Sequence, residues 1–171
     1  GKSTHAEMLA EELGGSSVLY VATAEAKDEE MRSRIERHQI ERPSTWQTLE
    51  YPISVSEGIQ KAWDGQAVIL IDCLTMLVSN ILLTGKDGDD ALVDMELVQA
   101  SVLSEMERLA RTIENLETTA IIVSNEVGLG LVPPYELGRI YRDVLGRANQ
   151  FAAKWAGEVY FLVAGIPMRV K

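Results

Sequence analysis

Cysteine is almost absent from this chain. Cys73 is the only one among 171 residues, so neither an intrachain disulfide nor a cysteine-ligated metal cluster can form. A domain of this length buries about two-thirds of the surface that its unfolded chain exposes, so its core needs no covalent cross-link. Disulfides are rare in reducing compartments, so the single cysteine predicts a cytoplasmic protein. The length of the chain predicts a single domain over residues 1–171.

Long apolar runs and an excess of basic residues are also lacking. The apolar runs at residues 67–71 and 120–123 fall far short of the roughly 20 residues that a membrane-spanning helix needs, and no secretory signal is evident. Sixteen Lys and Arg against 26 Asp and Glu give a net charge of −10, which repels nucleic-acid backbones. We therefore expect no membrane span and no nucleic-acid partner.

The chain does contain a regular alternation of apolar strands and helices. Apolar runs predict strands at residues 18–22, 46–51, 67–71 and 119–124. Helical spacing predicts helices at residues 3–13, 27–41, 55–63, 74–83, 92–116 and 135–155. Turn residues predict loops at 84–90 and 125–134, and a closing strand pair is predicted at 158–163 and 167–170. The pattern predicts an α/β fold with a mostly parallel central sheet covered on both faces.

The sequence GKST at residues 1–4 opens the first predicted helix. It matches the end of the phosphate-binding motif GxxxxGK[ST]. In that motif, backbone amides cradle phosphates, the lysine reaches the β and γ oxygens and the hydroxyl binds Mg²⁺. This interpretation expects a strand and five more loop residues before Gly1. The alternative, in which Ser3 or Thr4 simply caps the helix, explains these residues equally well.

The strand in AVILIDC ends in a carboxylate, Asp72. An acid at the carboxyl end of a strand is typical of the Walker B position, where it holds Mg²⁺ directly or through water. The alternative is that Asp72 caps the helix that begins near Leu74. The two motifs support each other, because a phosphate-binding loop and a Walker B acid occur in one sheet.

Two further segments carry candidate functional groups. His38 lies in RIERHQIERP among Arg34, Arg37 and Arg42; these arginines can neutralise a triphosphate and the imidazole is a candidate nucleophile. Taken alone, a solvated surface histidine is the commoner interpretation. In NEVGLGLVP, Glu126 follows a strand at the position where α/β sheets bind ligands, although an ordinary connecting loop would look similar.

The order of these blocks resembles the adenosylcobinamide kinase/adenosylcobinamide-phosphate guanylyltransferase family of cobalamin biosynthesis. The resemblance covers nearly the whole chain through GKS…HAE, YVATAEAKDEEMRSRIERHQIERP, LIDCLTMLVSN, VSNEVGLGLVP, RDVLGRANQ and GIPMRVK. It implies a three-layer P-loop NTPase fold of the RecA-like kind, with a small antiparallel C-terminal strand pair. It also implies a homotrimer.

The resemblance implies two reactions. A nucleoside triphosphate phosphorylates adenosylcobinamide, and GMP is then transferred from GTP to that phosphate through a GMP–histidine intermediate on His38. Mg²⁺ is the implied cofactor, with Ser3 and Asp72 as ligands, and GTP or ATP and adenosylcobinamide are the implied substrates. The family's nucleotide contacts fall on Gly1, Lys2, Ser3, Ala22, Thr23, Ala24, Gln39, Ile40, Glu41, Arg42, Glu50 and Asp72.

Two other functions are compatible with the same motifs. A P-loop small-molecule kinase or NTPase without nucleotidyl transfer would depend on Lys2 but not on His38. A regulatory module that binds nucleotide without turnover would retain GTP binding alone.

Overall fold

The computed structural model describes residues 1–26, 28–84 and 94–171, without the side chains of Glu30, Arg34 and Glu41. The predicted loop at 84–90 lies outside the described residues except for Thr84, as do the first two residues of the helix predicted at 92–116. Over the described ranges, no helix is both long and apolar enough to cross a membrane.

Helices and strands alternate along the described chain. In order they are α1 (Lys2–Gly14), β1 (Val18–Ala22), α2 (Glu29–Glu41), β2 (Gln47–Glu50), α3 (Val55–Ala62), β3 (Val68–Asp72), α4 (Leu74–Leu83), α5 (Met95–Leu116), β4 (Thr119–Val123), α6 (Glu136–Trp155), β5 (Tyr160–Val163) and β6 (Ile166–Arg169). The predicted elements are confirmed, with differences of at most three residues at their ends.

Aspartate caps explain where two of the helices begin. The Asp28 carboxylate accepts a hydrogen bond from Met31 N at 2.7 Å, so α2 starts at Glu29 rather than at residue 27. The Asp94 carboxylate accepts from Glu96 N and Leu97 N at the start of α5. Both carboxylates satisfy amides of the first turn that have no partner within the helix.

The central sheet has four parallel strands in the order β2-β1-β3-β4, and β5 and β6 form a separate antiparallel pair. Even-numbered residues of β1 and β3, such as Tyr20 and Leu70, pack with Ala6 and Ala10 of α1. Odd-numbered residues, such as Ile69, pack with α3, α4, α5 and α6 on the other face. The predicted three-layer α/β fold is therefore confirmed.

A buried carboxylate anchors α3, the helix that follows β2. Glu105 on α5 is 1% exposed, and it accepts hydrogen bonds from Ser56 N at 2.9 Å and from Ser56 Oγ at 3.3 Å. Arg108, on the next turn of α5, donates to the same carboxylate through Nε at 3.2 Å. Glu105, which belongs to the neighbouring helix α5, thus caps the first turn of α3.

We expect Glu105→Leu to lower the free energy of unfolding by about 3 kcal/mol, because it leaves the Ser56 amide buried without a partner. Denaturant unfolding measures the change. Glu107→Leu is the matched control, since Glu107 forms an exposed pair with Arg111 on the same helix and such pairs contribute at most about 1 kcal/mol. Equal losses in the two variants would contradict a capping role for Glu105.

Candidate functional site

The strand register brings several predicted site residues to one edge of the sheet. Ala22 is paired with Glu50 on one side and with Asp72 on the other. Asp72 is in turn paired with Val123 at the end of β4. Because the strands are parallel, these residues stand in a row at the carboxyl edge, where α/β sheets bind their ligands.

Asp72 lies on the same face of the sheet as α1. Side chains alternate along a strand, and Val68 and Leu70 pack against α1, so Asp72 projects to that face as well. Its Oδ2 accepts a hydrogen bond from the hydroxyl of Tyr20 at 2.9 Å. The N-cap of α4 is Cys73 rather than Asp72, so the alternative in which Asp72 is a cap is wrong.

Buried polar contacts fix the backbone that follows Asp72. Thr23 Oγ1 accepts from Cys73 N at 2.8 Å and donates to Cys73 O at 2.7 Å. Asn80 on α4 donates to Thr23 O at 2.8 Å and to Pro52 O at 3.0 Å. Thr23 and Asn80 are both buried. The segments that follow β1, β2 and β3 are therefore held together by side-chain hydrogen bonds, and sequence reasoning gave Asn80 no role.

A cleft of about 480 Å³ opens between the end of α2 and β2. Two pairs of side chains tie its walls together: Gln39 Nε2 donates to Glu50 Oε1 at 2.9 Å, and an Arg42 NH group donates to Thr48 Oγ1 at 3.0 Å. The lining residues are Gln39, Ile40, Arg42, Pro43, Ser44, Trp46, Thr48 and Glu50. The structure thus gathers four of the predicted nucleotide contacts in one cleft.

Tyr20 connects this cleft with Asp72. The guanidinium carbon of Arg42 lies 3.3 Å from the centre of the Tyr20 ring, a cation–π contact. Tyr20 is only 2% exposed, and burial, reinforced by the Asp72 carboxylate, holds the pKa of its hydroxyl well above the usual range. Sequence reasoning missed Tyr20, because it lies within an apolar strand and its partner is 52 residues away.

His38 lies on α2, one turn before Arg42. Its side chain is half-buried, and it is not among the residues that line the cleft, although the next two residues are. His38 is in the last turn of α2 and Arg42 is the C-cap of that helix, so the two residues are close along the chain, whereas only Arg42 lines the cleft. The side chain of Glu41, another predicted contact, lies outside the described residues.

Helix α1 begins at Lys2, with Gly1 as its N-cap and no side-chain cap, so the alternative of an N-cap by Ser3 or Thr4 is wrong. A Cβ on Gly1 would lie 2.9 Å from the Cα of Gly165, so the close approach of the β5–β6 turn requires glycine here. Lys2 lines a second, larger groove that also includes Glu126. The structure therefore places Lys2 and Arg42 in different cavities.

Arginine side chains of α6 hold the loop of residues 125–134 in place through hydrogen bonds. Arg142 donates to Gly128 O at 3.0 Å, and Arg139 donates to Pro134 O at 2.8 Å. The Glu126 carboxylate accepts from Gly128 N at 2.6 Å within the loop. Glu126 therefore reaches the carboxyl edge of the sheet as predicted, but its carboxylate stabilises the loop itself.

The residues present are compatible with Mg²⁺. Among the described residues, no group of three or more His, Cys, Asp or Glu side chains could form a complete metal cage. Mg²⁺ does not need one, because it commonly keeps several waters and binds one or two carboxylates together with substrate phosphates. The hydrogen bond from Tyr20 occupies Asp72 Oδ2, and Oδ1 has no hydrogen-bond partner in the described chain, so it can take such a role.

Comparisons with known proteins agree with this architecture. Residues 1–170 match the family model described as cobinamide kinase / cobinamide phosphate guanyltransferase. The bifunctional adenosylcobalamin biosynthesis protein CobU of Escherichia coli is 38% identical over 173 residues, which span 100% of this chain and 94% of that protein. The bifunctional adenosylcobalamin biosynthesis protein CobP of Pseudomonas aeruginosa is 40% identical over 171 residues, or 100% and 91%.

A third relative, the CobU protein of Salmonella typhimurium, is 35% identical and also matches the whole of this chain and 94% of its own length. Family model and relatives cover the chain from end to end, including both motif regions and the cleft between α2 and β2. The chain belongs to the cobinamide kinase / cobinamide phosphate guanyltransferase family.

Proposed function

We propose that this protein catalyses two successive transfers in cobalamin biosynthesis. It phosphorylates adenosylcobinamide with a nucleoside triphosphate, and it then transfers GMP from GTP to the new phosphate, giving adenosylcobinamide-GDP and pyrophosphate. Family membership and the bifunctional relatives support both activities. The structural observation that supports them best is the pairing of a strand-end acid, Asp72, with a separate arginine-lined cleft on the same face of the sheet. We further propose a cytoplasmic homotrimer, as the resemblance implies.

In the kinase reaction, the substrate hydroxyl attacks the γ-phosphorus and the nucleoside diphosphate leaves. This chemistry depends on alignment and on neutralising charge more than on proton transfer. We propose that Lys2 and the backbone amides at the start of α1 neutralise the negative charge of the phosphates. Ser3 and Asp72 would hold Mg²⁺, which supplies further positive charge at the phosphates when it is bound.

In the transferase reaction, a nitrogen of His38 attacks the α-phosphorus of GTP, the P–N bond forms and pyrophosphate leaves. A phosphate oxygen of adenosylcobinamide phosphate then attacks the same phosphorus and releases His38. The cleft would hold the guanine nucleotide, with Gln39, Glu50 and Arg42 as its polar walls. Ala22, Thr23 and Ala24 would approach the nucleotide from the end of β1.

We expect His38→Ala to abolish labelling of the protein by α-labelled GTP while leaving adenosylcobinamide phosphorylation within about twofold of wild type. In wild-type protein the label should be stable to base and labile to acid, as a phosphoramidate is. His5→Gln, at the other histidine of the chain, is the matched control and should label normally. Normal labelling of His38→Ala would exclude the proposed intermediate and favour a simple P-loop kinase.

We expect Asp72→Asn to lower kcat of the kinase reaction by roughly 100-fold, because it removes one charge from the shell that holds the metal and phosphates. Steady-state assays over a range of Mg²⁺ concentrations measure the change. Asp64→Asn, at an exposed acid in the turn after α3, is the control and should keep wild-type kinetics. Full kinase activity in Asp72→Asn would remove the assigned role.

A further inference from the structure

Tyr20 contacts one group from each half of the proposed site. Its hydroxyl donates to the carboxylate of Asp72 at 2.9 Å, and its ring supports the guanidinium of Arg42 at 3.3 Å. Thr48, the residue paired with Tyr20 across β1 and β2, accepts a hydrogen bond from the same guanidinium. The buried side chain of Tyr20 therefore orients both the Asp72 carboxylate on β3 and the Arg42 guanidinium at the end of α2.

The hydrogen bond from Tyr20 distinguishes the two carboxylate oxygens of Asp72. Oδ2 accepts from the Tyr20 hydroxyl at 2.9 Å, and Oδ1 has no hydrogen-bond partner in the described chain. Oδ1 is therefore the oxygen that can face a metal or a water.

The ring contact has a different consequence for Arg42. A guanidinium that pairs with a carboxylate loses much of its attraction for phosphate, because the positive charge is already neutralised. In the described chain Arg42 pairs with no carboxylate: it rests on an uncharged ring and donates to the hydroxyl of Thr48. The ring holds the arginine in place and leaves its charge available to an anion in the cleft.

We propose that Tyr20 is a positioning residue for both reactions, orienting Asp72 for phosphoryl transfer through its hydroxyl and Arg42 for nucleotidyl transfer through its ring. This inference rests on the proposed function, since it assigns Asp72 and Arg42 to the two reactions named above. It predicts that the two contributions of Tyr20 can be separated, because one belongs to a single oxygen atom and the other to the aromatic face.

Tyr20→Phe removes the hydroxyl and keeps the ring. We expect kcat of the kinase reaction to fall on the order of tenfold, the Mg²⁺ concentration for half-maximal rate to rise, and the KM for adenosylcobinamide to stay unchanged. Labelling of His38 by GTP should remain within about twofold of wild type. Tyr20→Leu removes the ring as well and should also raise the KM for GTP in the labelling reaction.

Tyr160→Phe is the matched control, because Tyr160 also donates to a carboxylate, that of Glu158 at 2.7 Å, on the β5–β6 pair. It should change neither reaction. A double-mutant cycle adds a readout that general destabilisation would not move: in an Asp72→Asn background, Tyr20→Phe should have little further effect on the kinase rate, since the hydroxyl acts through Asp72. Should Tyr20→Leu fail to fold, Tyr20→Phe and the cycle still decide the hydroxyl's role.

Equal losses of both reactions in Tyr20→Phe, no loss in either, or full additivity with Asp72→Asn would each overturn the proposal. Failure of the proposed function is a separate outcome, because it would show in wild-type protein as absent kinase turnover or absent labelling. In that case Mg²⁺-dependent binding of a non-hydrolysable ATP analogue still tests the hydroxyl: Tyr20→Phe should need more Mg²⁺ than wild type, and an unchanged requirement counts against it.

Discussion

The parallel register of β2, β1 and β3 is the constraint on which the rest of the site depends. It aligns Glu50, Ala22 and Asp72 at one edge, and the alternation of side chains sends Glu50 and Asp72 to the same face of the sheet. A shift of one residue in either strand pair would turn one of these carboxylates toward the opposite face, where α3 and α4 pack. The backbone hydrogen bonds of the sheet therefore set the relative positions of Glu50, Ala22 and Asp72, whatever contacts their side chains make.

The polar contacts behind the site follow from the same alignment. Where parallel strands end, their backbone groups lose sheet partners, and buried groups without partners are costly. Thr23 and Asn80 supply those partners with side-chain hydrogen bonds to Cys73, Thr23 and Pro52. The segments after three strands are thereby fixed relative to each other, which is the rigidity that positioning catalysis requires.

Sequence reasoning predicted what depends on local pattern. Continuous apolar runs gave the strands, helical spacing gave the helices, and the acid at the end of AVILIDC was expected at a strand end, where the structure has it. It did not predict the partners of Tyr20 or Asn80, because those contacts join residues 52 and 57 positions apart and depend on strand order. Tyr20 was hidden for a further reason: within a buried apolar strand, a tyrosine is hard to distinguish from an ordinary core residue.

The net charge of −10 gives the contacts of the Arg42 guanidinium particular importance. An acidic protein that binds triphosphates cannot rely on its overall field, so it needs local positive charge that its own carboxylates do not neutralise. In the proposed site Arg42 would meet that need, because its guanidinium rests on the Tyr20 ring, which attracts a cation without cancelling its charge, and donates to the hydroxyl of Thr48. The hydroxyl on the same ring donates a hydrogen bond to Asp72. The acid and the arginine are therefore connected through the neutral side chain of Tyr20. Direct pairing of Asp72 with Arg42 would have neutralised both groups, and each of the two proposed reactions would have lost the charge that we assign to it.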